Sequence, residues 1–125
     1  MNNVIELLKA HRSIRKFKTD PVAQEIVEEL ILAGQCAATS SFIQACTVLQ
    51  ITDPATREHL CEAAAGQLYV KESPVFLVFC ADMQRHQMAC DMHDAVMLSG
   101  FTEQFLTASI DCALFAQNVP VSYTH

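Results

Sequence analysis

The stretch PVFLVFCAD, residues 74–82, is apolar at every position from Val75 to Ala81. A strand wetted on one face alternates polar and apolar residues. An unbroken apolar run this short, ended by an acid, reads as a strand buried on both faces. Such a strand needs a sheet around it and layers on either side. One companion is visible: CTVLQITD is short and β-branched, and reads as a strand ending at Asp53.

The rest of the chain carries helical spacing. Val4, Ile5, Leu7 and Leu8 fall on one side of a helix over Asn3 to about Ala10. Pro21 can open a second, running from Val22 to about Cys36. There Ile26, Val27, Leu30, Ile31 and Ala33 keep the period while Glu25, Glu28 and Glu29 face water. Asp53-Pro54 is an N-cap and first-turn pair for a third helix reaching about Ala65 and stopping at Gly66. A long last helix is expected over about Asp94 to Asn118, with Leu98, Phe101, Phe105, Cys112 and Phe115 as its stripe. The pattern is α+β and helix-rich. Two strands are a poor core for so many helices. The last helix is apolar around much of its circumference, and Val119-Pro120 is expected to end it. The chain is expected to be part of a larger unit.

With 125 residues the chain is the size of one domain, and 51% hydrophobic residues make it a folding composition. The net charge of −6 excludes a broad basic face for nucleic acid. Yet four of the eight Lys and Arg lie in AHRSIRKFK, residues 10–18, as Arg12, Arg15, Lys16 and Lys18, beside His11. The planar donor fork of Arg suits phosphate, and Ser13 adds a hydroxyl. The segment is either an anion clamp or a solvated basic loop paired with the abundant Glu. Six cysteines without a CxxC lie mostly among apolar neighbours. No signal peptide and no membrane-length apolar run is recognisable. The expectation is reduced, buried thiols in a cytoplasmic protein.

Other motifs are less specific. Thr39-Ser40-Ser41-Phe42 could cradle a ligand or simply cap a helix-to-loop junction. Gln67 and Lys71 follow a helix end as possible polar contacts. His86, Cys90 and His93 lack a fourth ligand for structural zinc, so no metal is expected. No cysteine stands out as an activated nucleophile.

Taken in order, the motifs resemble a known family. IELLKAHRSIRKFKTDPV resembles the opening of the FMN-dependent nitroreductase superfamily, where a short helix leads into an R-S-x-R-x-F segment. With ATSSFIQ, ITDPATREHL, GQLYV and FLVFCADMQRH following from about Val4 to Asn118, the chain is similar to the oxygen-insensitive NADPH nitroreductase and flavin reductase branch. The resemblance implies a nitroreductase-like α+β fold with a central, mostly antiparallel sheet. It implies a homodimer with FMN at the interface, NADPH as reductant, and nitroaromatics, quinones or free flavin as acceptors in a ping-pong cycle. His11, Arg12, Ser13 and Arg15 would then hold the FMN phosphate and ribityl chain. Thr39 and Ser40 would lie against the flavin from the partner subunit, with Ser41 and Phe42 on the substrate side. Gln67 would be a polar flavin contact and Lys71 a lesser one; no side chain is implied as catalytic acid or base.

Members of that family are longer. The resemblance therefore implies that residues 1–118 are the N-terminal portion of a single nitroreductase-like domain. Residues 119–125 are expected to be a tail outside the family, as a truncated or frameshifted reading frame would leave. Such a half is expected to hold FMN poorly and to lack activity alone. The alternative is a non-catalytic interaction module pairing through the apolar last helix.

Overall fold

A computed structural model describes residues 3–121. The elements in chain order are α1 (Asn3–Ala10), α2 (Gln24–Gln35), a 3-10 turn (Ser40–Phe42) and β1 (Cys46–Gln50). There follow α3 (Pro54–Ala63), α4 (Tyr69–Glu72), β2 (Leu77–Ala81), α5 (Gln84–Met92) and α6 (Thr102–Val121). The two strands pair antiparallel, Cys46 opposite Ala81 and Gln50 opposite Leu77. The ladder runs one step further at each end, through Asp82 N–H to Ala45 O and Ile51 N–H to Phe76 O. Helices α2 and α6 pack on each other, and α6 lies across both strands.

Local chemistry explains the helix starts. Asp53 caps α3: its carboxylate accepts from Thr56 N–H at 2.8 Å and from the Thr56 hydroxyl at 2.6 Å, with Pro54 in the first turn. At the other end of α3, Ala65 N–H bonds Glu62 O and Gly66 N–H bonds Cys61 O, the paired bonds of a Schellman ending. The first left-handed position after the helix is Ala65 (φ 57), and Gly66 follows it, also at positive φ (75). Arg57 ties α3 to the segment before β2, donating to Val70 O, Ser73 O and the Ser73 hydroxyl, with its guanidinium over Phe76.

Several expectations are corrected. Helix α2 starts at Gln24 with Ala23 as an extended N-cap, so Pro21 lies in the approach and does not open the helix. The last helix starts at Thr102: Gly100 takes φ 92, which no helix accommodates, and Phe101 N–H donates to the Gln104 side chain at the new start. Residues 84–92, which include the metal-ligand candidates His86 and Cys90, form α5, with His93 just past its end; its mixed sequence carries no apolar stripe. Helix α6 continues through Val119-Pro120 to Val121. Residues 122–125 of the expected tail lie outside the described residues. Of the expected stripe, Cys112 is buried and Phe115 half-buried, whereas Leu98, Phe101 and Phe105 are exposed. The buried positions of α6 are Ala108, Asp111, Cys112 and Val119. Strand β2 is only half-buried from Leu77 to Cys80 and exposed at Ala81, so the expected burial on both faces is incomplete.

The core that results is small. Its buried apolar members are Val27, Ala45, Cys61, Val70, Ala108, Cys112 and Val119. The face of α6 carrying Phe105, Leu106, Ile110 and Leu114 is exposed, as are Val4, Ile5 and Leu8 of α1. No helix among the described residues is long and apolar enough to cross a membrane.

Phe115 occupies the space beside Gly34 and packs on Phe79, ring centroids 6.0 Å apart and tilted by 54°. A methyl on Gly34 would meet the Phe115 ring, Cδ1 at 2.8 Å and Cε1 closer. Gly34→Ala is therefore expected to lose about 1–3 kcal/mol by overpacking, more than the better helix propensity of Ala returns, and thermal unfolding reads this as a lower Tm. The cap of α3 gives a pH signature. Thr56 holds the Asp53 carboxyl below its ordinary value of 3.8, first through its hydroxyl and then through its N–H. A depressed carboxyl stabilises fully above the unfolded-state value and loses that contribution as pH falls through the folded one. The stability gap between wild type and Asp53→Ala should thus be open at neutral pH and narrow below pH 3.8, measured by urea unfolding at both pH values.

Candidate functional site

The basic segment 11–18 has no regular structure, and all of it is exposed except the half-buried His11. Arg12 folds back over the end of α1, its Nη1 donating to Lys9 O at 2.9 Å and His11 O at 2.7 Å. It thereby satisfies carbonyls that a helix C-terminus leaves open. Among the described residues Arg12, Arg15, Lys16 and Lys18 form no ion pair. The surface pairing with Glu that a solvated loop would use is missing, and the guanidinium of Arg15 keeps all its donors.

Thr39 to Phe42 sit together in one tight loop. Thr39 is extended and Ser40–Phe42 form the 3-10 turn, closed by Ile43 N–H to Ser40 O at 2.9 Å. Ser41, Phe42 and Gln44 all take positive φ, at 48°, 56° and 55°. For residues with a Cβ this costs about 1–2 kcal/mol each. Phe42 at the tip is 79% exposed, and Ser41 is exposed beside it.

Two side chains that sequence reasoning passed over reach this loop. Asp111 of α6, 4% exposed, accepts the Ser40 N–H at 3.0 Å on Oδ1 and 3.3 Å on Oδ2. Arg85 of α5 donates from Nη2 to Gln44 O at 2.6 Å and Cys46 O at 3.3 Å. Asp111, Arg85 and Thr39 line one cavity of about 300 Å³ with Gln44 and Phe115. Inside the turn the Thr39 hydroxyl is buried with no hydrogen-bond partner among the described residues. A signal for Asp111 was available: it is an acid at the spacing of the buried positions Ala108, Cys112 and Val119.

The other predicted residues lie apart. Gln67 is exposed on the link between α3 and α4. Lys71 is committed elsewhere, its Nζ 2.8 Å from Glu58 Oε1. No hydrogen bond or ion pair among the described residues joins the 11–15 segment, the 39–42 loop and Gln67. The structure brings Thr39, Ser40, Ser41 and Phe42 together, and leaves the basic segment and Gln67 as separate surface groups. No set of three or more His, Cys, Asp or Glu among the described residues is arranged to hold a metal ion.

Behind the loop, Cys46 Sγ lies 3.5 Å from Cys112 Sγ. Burial, then the Cys112 thiol, push the Cys46 thiol up to about 12, with Cys80 adding and Arg85 opposing. All six cysteines are free thiols.

Three comparisons bear on this geometry. The family model described as Nitroreductase family matches residues 8–122. The chain belongs to the nitroreductase family. It is 38% identical over 125 residues to a Bacillus subtilis protein named FMN reductase (NADPH), covering 98% of this chain and 50% of that one. The structure of NfrA1 from B. megaterium superposes with a TM-score of 0.92 at 40% identity, over 97% of this chain and 50% of its own. A Vibrio harveyi NADPH:FMN oxidoreductase, solved with NAD+, superposes at 0.88 and 39% identity, over 97% and 51%. The chain thus has the nitroreductase-like fold and spans about half the length of the curated relatives it matches.

Cysteine accessibility offers a check on the site's packing. Iodoacetamide at pH 8 should label exposed Cys36 first and leave Cys46 and Cys112 unmodified until denaturant is added, Cys112 because it is buried and Cys46 because its raised pKa leaves little of the nucleophilic thiolate. Mass spectrometry of tryptic peptides reads the order. Early labelling of Cys46 would contradict its contact with Cys112 and its raised pKa.

Proposed function

We propose that this chain supplies the N-terminal half of an FMN-dependent NADPH oxidoreductase that reduces nitroaromatics, quinones or free flavin. The observation that carries the reading is the alignment of nearly the whole chain with half of an FMN reductase (NADPH). The residues present suit the cofactor. Arg15 has no partner among the described residues, and Arg12 contacts only local carbonyls, so both guanidinium groups can turn to a phosphate. The partnerless Thr39 hydroxyl is a polar group that the fold itself leaves unsatisfied.

FMN, when bound, supplies the hydride chemistry, and NADPH the electrons. The chain's own residues bind and orient. Arg12 and Arg15 neutralise the phosphate, Ser13 and His11 hold the phosphate and ribityl end, and Gln67 contacts the ring edge. Thr39 and Ser40 pack beside the flavin, while Ser41 and Phe42 meet the acceptor. The exposed loop tip points to a homodimer in which this loop serves the partner's flavin. Lys16 and Lys18 remain in solvent, and the proposed compartment is the cytoplasm.

By itself this half binds FMN weakly, because its phosphate cations stand on an exposed segment with no support from its own fold. A second reading, a non-catalytic module that pairs through α6, has one observation behind it: the exposed row Phe105, Leu106, Ile110 and Leu114.

The test is FMN titration of the purified 125-residue chain, followed by flavin fluorescence and by NADPH absorbance. Expected results are weak binding, a further loss of about tenfold in Arg12→Ala or Arg15→Ala from the missing charged hydrogen bonds, and no NADPH oxidation. A tightly flavin-loaded, NADPH-oxidising chain would sink the half-site proposal. A flavin-free chain of one defined oligomeric size by light scattering would favour the module instead.

A further inference from the structure

Three residues with side chains hold positive φ within four positions of the 39–44 loop. Backbone in that region persists only where the surroundings over-determine it, and such strain gathers at functional sites. The surroundings here are two long-range tethers, one just before the strained residues and one on the last of them and the strand that follows. Asp111, 71 positions away in sequence, takes the Ser40 N–H; Arg85, 41 positions away, takes the Gln44 carbonyl. The two opposite charges line one cavity yet form no ion pair with each other. Each directs its charge at loop backbone instead. Asp111 is also an expensive choice for packing alone, since a buried carboxylate gives up hydration that one N–H replaces incompletely.

We propose that Asp111 and Arg85 are positioning residues that clamp the 39–44 loop in its strained turn, so that Ser41 and Phe42 project from the subunit toward flavin and acceptor. This rests on the flavin reading above and names how the flavin-facing loop is held. The clamp acts through hydrogen-bond geometry: Asp111 as an acceptor for Ser40 N–H, Arg85 as a donor to Gln44 O and Cys46 O. Asparagine at 111 keeps an acceptor oxygen of the same reach, whereas leucine keeps only the volume.

The experiment compares Asp111→Asn, Asp111→Leu, Arg85→Ala and the core control Val27→Ala with wild type, all in the 125-residue chain. Amide hydrogen exchange over residues 40–46 is read first, and FMN titration second. Asp111→Leu and Arg85→Ala should speed loop exchange by about tenfold or more, relative to amides of α3, and weaken FMN binding by about tenfold. Asp111→Asn should restore both to within about threefold of wild type. Val27→Ala should lower Tm without a loop-specific change. Unchanged loop exchange in Asp111→Leu and Arg85→Ala overturns the proposal, as does an Asn variant as damaged as the Leu one. If Asp111→Leu does not fold, the exposed position of Arg85 lets Arg85→Ala decide. Wild type that binds no flavin would remove the flavin reading, while the exchange data still decide whether the clamp exists. Flavin bound equally by all variants would remove the clamp's role and leave the flavin reading standing.

Discussion

Phe115 of α6 sits against Gly34 of α2 and tilts onto Phe79 of β2, and much else follows from that one contact. A phenyl ring fits beside α2 only because position 34 has no side chain. Interiors pack at crystal-like density, so the ring fixes both the distance and the rotation of α6. With that rotation set, the turn before Phe115 presents Asp111 to Ser40 and Cys112 to Cys46. The candidate site is thus held by the same packing that joins α2, α6 and the strand pair.

The loop at residues 39–44 shows how such packing is used. Alone, the Ser40–Gln44 segment would not hold three left-handed residues, since the strain exceeds what its own short hydrogen bonds return. Asp111 and Arg85 supply the missing constraint from helices distant in sequence. The basic segment is the opposite case. It carries the charge for an anion but no contact that fixes where the charge points, and Arg12 turns back on the nearest carbonyls. One part of the candidate site is tethered by distant side chains and the other is not.

That imbalance agrees with the size of the core. Among the described residues no large side chain is fully buried, and the apolar faces of α1 and α6 are bare. A two-stranded sheet whose strands are nowhere fully buried covers too little apolar surface to be a complete layer structure. Relatives of the same fold are about twice as long, and the exposed faces are where further chain or a second subunit of such a protein can pack.

Features encoded over a few residues were legible in the sequence. The bounds of α1 and the Asp53-Pro54 start of α3 depend on groups that meet their partners within about one helical turn, and the small polar residues of Thr39–Phe42 mark a loop even though distant residues hold its shape. The family was legible too, because the order and spacing of its motifs survive in one dimension. The last helix was misplaced because apolar Met97, Leu98 and Phe101 extend the helical spacing, and nothing local announces that Gly100 leaves it at φ 92. Asp111 looked like one acid in an apolar helix, and Cys46 and Cys112 like two buried thiols among six. Only the tertiary structure decided that α6 rotates to bring both to the loop and strand, since contacts 66 and 71 residues apart form by packing and not by any rule of neighbouring side chains.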